Sequence, residues 1–424
     1  MPCIKNNSNE FLIEEIIMLN FRAYALPLFI IFGIIGNCFV INSFYAIQKL
    51  QPSRFNIYII WIAIFQIVDL ITNSFLDDFL GRGLTWASDC TVFIKLDTIS
   101  SFTCKTMNYV PHTAVLISNT LLVIFSIDRL VTAYKPIRFR GDICLIIPRI
   151  SIIFVICICL LLFLPQLIYS DLIINDNTSS LVNDTCQYVN SLYFGVQYSL
   201  YLSTIGGHIL PTILIAIINI IIVLRLHVLT KTRYTLQGKF NSSLHSKHSD
   251  DNQCTNNRLN PRYSLSSLLL LHHTRQQSNE YHTFHNEMKR ISGHLTVTSI
   301  FLLFSIPLVV VIILRQQSDF QNYANIYPNY AKRLVHLSRL FSSLSSIICS
   351  CYFPVFLIFL PNFRYMVYLS IYSLPLIKTT KYAIKHSEQI EIKLSSRLRT
   401  RIRRSIESKT LQTIILHRSN DEMK

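Results

Sequence analysis

Charge is what this sequence has least of. Asp, Glu, Lys and Arg make up 15% of its 424 residues against 51% apolar, whereas soluble chains carry about a quarter charged. That shortage excludes an ordinary soluble two-domain enzyme before any motif is read. Glycine and proline are scarce as well, 10 and 14, which rules out collagen-like and low-complexity chains. Acidic residues run short in their turn: 23 stand against 39 Lys+Arg, a net charge of +16. Missing too are a nucleophile elbow, an HExxH pair and a Walker loop, so nothing speaks for an enzyme or for a cofactor.

What is present is long apolar runs. A helix crossing a hydrocarbon core of about 30 Å needs about 20 such residues. Seven runs of that order occur, over Tyr24–Ile47, Ile57–Leu76, Phe102–Ile127, Ile146–Tyr169, Leu192–Leu224, Ile291–Leu314 and Leu334–Leu360. A membrane barrel would instead show short alternating segments. The expected fold class is all-α: a seven-transmembrane helix bundle over 24–372, with a short cytoplasmic amphipathic helix after the seventh span. An N-terminal segment, 1–23, and a basic tail, 373–424, flank it.

Thirty of the 39 Lys+Arg fall in 48–55, 128–149, 225–290 and 361–424, while 165–195 holds none. The positive-inside rule therefore puts the N-terminus outside and the C-terminus in the cytosol, with the plasma membrane as the expected location. The first 20 residues carry Glu10, Glu14 and Glu15 and lack a cleavable signal pattern, so the first span is expected to act as the targeting signal. Glycosylation acceptors at Asn6, Asn177 and Asn183 fall outside, and the same pattern at Asn241 falls inside, where it should stay bare. Cys3, Cys90, Cys104 and Cys186 face the oxidising side, and four such cysteines permit three pairings.

Residues 230–290 are rich in Ser, Asn, His and Gln and read as a flexible cytoplasmic loop. Its His272, His273, His282 and His285 have no Cys or acidic partner at ligand spacing, so no metal site is expected. In the tail, Lys393, Arg397, Arg399, Arg401, Arg403 and Arg404 alternate with Leu394, Leu398, Ile402 and Ile406. That is either one apolar stripe on a basic helix lying on anionic membrane lipids or a solvated tail. Nucleic acid is not an expected partner, because no aromatic stacking platform accompanies the charge.

Several motifs carry a family resemblance. Gly36-Asn37-Cys38-Phe39-Val40 is similar to a GNxxV signature in the first span, and Asp128-Arg129-Leu130 with Pro136 is similar to a DRY motif closing the third. Cys104 stands 25 residues before Arg129, and Pro307 lies 20 residues after Glu287 in the sixth span. Together these resemble a divergent rhodopsin-like (class A) G-protein-coupled receptor over 24–372. The resemblance implies a disulfide between Cys104 and Cys186, leaving Cys3 and Cys90. It implies an inter-helix bridge through Asn37, a kink at Pro307, and an ion pair between Arg129 and Glu287 that holds a G-protein cleft shut beside Asp128. A heterotrimeric G protein and an extracellular ligand are the partners it implies.

The chain also departs from the family. The sodium-binding Asp of the second span falls on Gln66; Asp69, one turn later, either stands in for it or is a pocket polar group. The NPxxY motif reads Phe353-Pro354-Val355-Phe356-Leu357, and the toggle Trp is Ser305. Pro111 stands where amine receptors hold an Asp, and Ile347 where opsins hold the retinal Lys, which disfavours an amine and excludes covalent retinal. His112, Tyr201, His208, Arg315, Arg339 and Ser343 fall toward the outer halves of their helices and are the candidate ligand pocket. Its two arginines suit an acidic group or a C-terminal carboxylate, and a peptide is the expected ligand, ahead of another small molecule. The readings left beside it are a seven-helix transporter or channel, with Gln66 and Asp69 lining an ion path, and a non-signalling decoy receptor.

Overall fold

The structure, a computed structural model, describes residues 12–134, 145–173, 185–188, 198, 201–250 and 264–372, with only the backbone of 232–250 and 264–286. Seven helices among the described residues are long and apolar enough to cross a membrane. They are α1 (Ile13–Leu50), α2 (Arg54–Ala87), α3 (Ser101–Tyr134), α4 (Ile146–Tyr169), α5 (Leu202–Lys231), α6 (Glu287–Phe320) and α7 (Pro328–Phe359). A short α8 (Pro361–Tyr372) follows. Between α4 and α5 runs an antiparallel hairpin of β1 (Ser170–Ile173) and β2 (Thr185–Tyr188), with Leu172 opposite Cys186.

Observed and expected spans coincide for α4, while most of the others run further at their polar ends. At 38 residues, α1 is about 57 Å long, more than the hydrocarbon of a bilayer, so part of it stands clear of the lipid. It begins inside the segment read as an N-terminal arm. Within 230–290, read from the sequence as a flexible loop, helix continues from α5 to Asp250 and leads into α6 from Ser264. No proline lies between Pro211 and Pro261, and Gly238 is the one glycine there. Extending a helix that already exists costs far less than nucleating one, so a polar composition does not stop it.

Helix α3 is the central column. Its apolar window is 61% buried, against 28% for α4, which lies at the rim. In lipid there is no hydrophobic drive between helices, so close packing and buried hydrogen bonds hold the bundle. Gly33 and Gly36 let α1 approach α2 and α7. A Cβ at Gly36 would sit 2.9 Å from Phe353 Cβ, and one at Gly33 would sit 2.8 Å from Leu70 and Ser350 side-chain atoms. Between them in space, Asn37 donates to the carbonyls of Gly33 (2.9 Å) and Cys349 (3.0 Å), bridging α1 to α7.

The tightest approach is at Gly83, where a Cβ would meet the Arg22 carbonyl oxygen at 2.5 Å. Backbone on one side and backbone on the other leave nothing to rotate away. Gly83→Ala is therefore expected to cost about 1–3 kcal/mol, read as a lower unfolding midpoint of the purified protein. Gly207→Ala is the control, since nothing lies within 4 Å of a Cβ there. Equal midpoints for the two variants would refute the close-contact account.

An aromatic group ties α8 to the bundle. Phe363, fully buried, stacks on Phe44 at 5.1 Å and meets Phe353 and Phe356 edge-on. Phe353 thus fills with rings the place where the resemblance predicts a polar Asn. At the opposite end, Cys186 on β2 is disulfide-bonded to Cys104 on α3, Cα atoms 5.5 Å apart. The hairpin is fastened again by Asp171, which accepts from Ser101 Oγ and from the Leu172 amide. Those two donors hold the Asp171 carboxyl below the usual carboxylate range.

Candidate functional site

At the end of the bundle away from the disulfide, Arg129 of α3 is 3% exposed. A guanidinium buried that deeply needs countercharge. Asp128 supplies it directly, its Oδ2 accepting from Arg129 Nη2. The other oxygen, Oδ1, is 2.7 Å from Arg54 Nη1 on the first turn of α2. Arg54 also donates to Thr132 Oγ1 (3.2 Å). From α6, Glu287 Oε2 stands 4.0 Å from Arg129 Nη1, while its Oε1 is 2.7 Å from Arg290. The guanidiniums of Arg129 (5.3 Å) and Arg290 (5.8 Å) both lie over the Phe55 ring, a favourable place for cations.

Behind this cluster His294 is 1% exposed, edge-on to Phe125 at 4.5 Å, with neither ring nitrogen hydrogen-bonded. Of these residues the sequence pointed to Asp128, Arg129 and Glu287. Arg54, Arg290 and His294 were missed. A basic residue at the rim of an apolar run reads as an ordinary interfacial anchor, and only the fold shows that Arg54 grips Asp128.

Midway along the bundle a cavity of about 40 Å³ is lined by Gln66, Asp69, Ser118, Asn119, His208 and Cys349, among others. Gln66 and Asp69 share one face of α2, as their spacing predicts, and both are buried, 2% and 7% exposed. The Cys349 thiol points to Asp69 Oδ2 at 3.8 Å. Asn119 reaches across to the Gly207 carbonyl of α5 at 2.7 Å. Pro307 lies inside α6, where its ring removes one backbone hydrogen bond.

The chain matches the family model of the 7 transmembrane receptor (rhodopsin family) over residues 36–361. It belongs to that family. Comparison with curated proteins finds no match. The receptor is thus a multi-pass membrane protein of a signalling family, and its Asp128–Arg129 cluster, Cys104–Cys186 bond and mid-bundle cavity are features of one seven-helix architecture.

The candidate pocket residues of the receptor are placed as follows. His208 lines the mid-bundle cavity. His112 is exposed, 3.4 Å from Ser203 Oγ and stacked on Phe163. Tyr201 is 51% exposed at the start of α5. Arg315 donates to Ser338 Oγ at 3.3 Å. Ser343 is 2% exposed and bonded to Arg22 and Asp78. Two groupings are visible among the six: His112 lies within electrostatic range of His208, and Arg315, Arg339 and Ser343 lie close to Arg22 or to one another at the ends of α6 and α7.

Ser343 completes a buried ionic staple that the sequence reading missed. Arg22 of α1, 2% exposed, places Nη2 2.9 Å from Asp78 Oδ1 on α2. Arg22 Nε donates to Ser343 Oγ (2.8 Å), and that hydroxyl lies 2.8 Å from Asp78 Oδ2. The π-helical stretch Leu70–Gly83 carries Asp78 on its buried face with Ser74 and Gly81. An Arg two residues ahead of the first apolar run was the available signal, since a charge at that depth pairs or pays heavily. Cys90 is disulfide-bonded. Cys3, the glycosylation positions Asn6, Asn177 and Asn183, Pro136, and the basic tail lie outside the described residues.

Proposed function

We propose that the receptor sits in the plasma membrane with its N-terminus outside and its C-terminus in the cytosol, and transduces binding of an extracellular peptide into activation of a heterotrimeric G protein. One observation carries this reading: a single buried guanidinium, Arg129, is restrained by groups from three helices, Asp128 of α3, itself held by Arg54 of α2, and Glu287 of α6. Charges shared this way form a bistable element, because desolvation offsets much of their attraction and a small helix shift redistributes them. Movement of α6 carries Glu287 and Arg290 off together and opens the face that holds Arg129. The charge pattern of the loops supports the orientation, and Pro111 and Ile347 favour a peptide over an amine or retinal.

The test is nucleotide exchange on a panel of G proteins in membranes containing the full chain, alone and with pooled peptides. Stimulated exchange is expected, and Arg129→Ala at matched surface expression should abolish it. Exchange with no G protein, with or without peptide, would overturn the proposal. Glycosidase sensitivity through Asn177 or Asn183, and none through Asn241, is expected from the orientation; the reverse would invert it.

A further inference from the structure

Four guanidiniums gather at the disulfide end from four different helices: Arg22 on α1, Arg82 on α2, Arg315 on α6 and Arg339 on α7. Arg82, Arg22 and Arg315 all lie within electrostatic range of Arg339. Among the described residues two carboxylates accompany them, both on α2. Asp78 is committed to Arg22 and Ser343. Asp77 stands 3.8 Å from Arg82. Four positive charges against two negative leave the cluster with two in excess.

Arg339 is where the excess falls. It is half-buried, and its guanidinium makes no ion pair or hydrogen bond among the described residues. Among the described residues Arg315 is held by an uncharged hydroxyl, Ser338 Oγ. Arg22 Nη1 is buried with no hydrogen-bond partner. Like charges brought together out of bulk water raise the free energy of the site, and an arginine free to do so would extend its head toward water instead. Planar donor forks from several helices that outnumber the carboxylates among them match the demands of a carboxylate, sulfate or phosphate, which takes paired N–H bonds from Arg.

We propose that this cluster receives an oxyanion of the receptor's ligand, with Arg339 as the principal donor, Arg315 and Arg82 beside it, and the Arg22–Asp78–Ser343 staple as a fixed floor. The proposal deepens the reading of the receptor as ligand-activated and rests on it for its meaning. An anionic lipid headgroup carries the same chemistry, so the experiment separates the two sources.

The full chain is placed in phosphatidylcholine nanodiscs and its thermal unfolding is followed while succinate, inorganic phosphate or sulfate is added, with sodium chloride at matched ionic strength as reference. Wild type should rise by about 2 °C or more at a few times the dissociation constant. Arg339→Gln should lose that response, and its anion-free midpoint should equal or exceed wild type, because the change relieves repulsion. A purely structural arginine would give a lower midpoint. The requirement for Arg339 separates binding from the general stabilisation that sulfate gives any protein. In a parallel arm, phosphatidylserine is added to the nanodiscs. A rise in wild type but not in Arg339→Gln, without any response to soluble anions, assigns the site to headgroups and overturns the ligand assignment.

No anion effect beyond chloride in either arm, or an undiminished response in Arg339→Gln, overturns the site itself. Nucleotide exchange is read on the same preparations. An Arg339-dependent shift in a chain that never signals sinks the functional reading and leaves the anion site standing; signalling without the shift does the opposite.

Discussion

Asp128→Asn is expected to raise basal nucleotide exchange about fivefold, a shift of about 1 kcal/mol toward the open form, and to exceed the effect of Glu287→Gln. The difference follows from how the carboxylates are engaged. Asp128 is 8% exposed and its two oxygens hold two guanidiniums, Arg129 and Arg54, from adjacent helices. Taking away its charge leaves both cations facing each other in a poorly hydrated site, which the closed form must tolerate and the open form relieves. Glu287 is less committed to Arg129: its side chain is 34% exposed, it lies 4.0 Å away, and its short contact is to Arg290 at 2.7 Å. Partly exposed pairs are screened and contribute little, so Glu287→Gln should change basal exchange by about twofold or less. Both variants are to be compared at matched surface expression. A larger rise for Glu287→Gln would show that the contact between α3 and α6, and not the one inside α3, is the main restraint.

The largest loss of stability is expected from breaking the staple between α1, α2 and α7. Asp78→Ala strands Arg22 in a site where it is 2% exposed, and leaving one member of a buried pair unpaired costs about 3–5 kcal/mol. Surface expression should fall steeply and the purified variant should unfold at a much lower temperature. Replacing both members by apolar residues of similar size, Arg22→Met with Asp78→Leu, should recover most of that loss, because neither charge then has to be desolvated. Recovery will stop short of wild type, since Arg22 also donates to Ser343 Oγ and to the Arg339 carbonyl (3.3 Å). A tolerated single variant, or a double variant worse than either single, would refute the ion-pair account. Arg339→Gln, only a turn from Ser343 in α7, should behave in the opposite sense, and that contrast separates a structural guanidinium from a ligand-receiving one.

What the sequence by itself determined is whatever follows from the lipid environment and from short-range order. Seven spans were legible because each must satisfy its own backbone in hydrocarbon, which forces a run of about 20 apolar residues. The shared face of Gln66 and Asp69 followed from helical periodicity, while the buried Asn37 bridge, the Cys104–Cys186 bond and the place of Arg129 beside Asp128 came from the family resemblance. The tertiary structure decided everything that depends on how one helix is rotated against another. Whether Arg22 meets Asp78, whether Arg54 rather than Glu287 shares the Arg129 cluster most closely, and whether six outward-lying residues form one pocket are questions of azimuth. An apolar run carries almost no azimuthal signal when lipid is as apolar as the helix interior, so the missing information enters only when glycines such as Gly36 and Gly83 set how closely the helices approach.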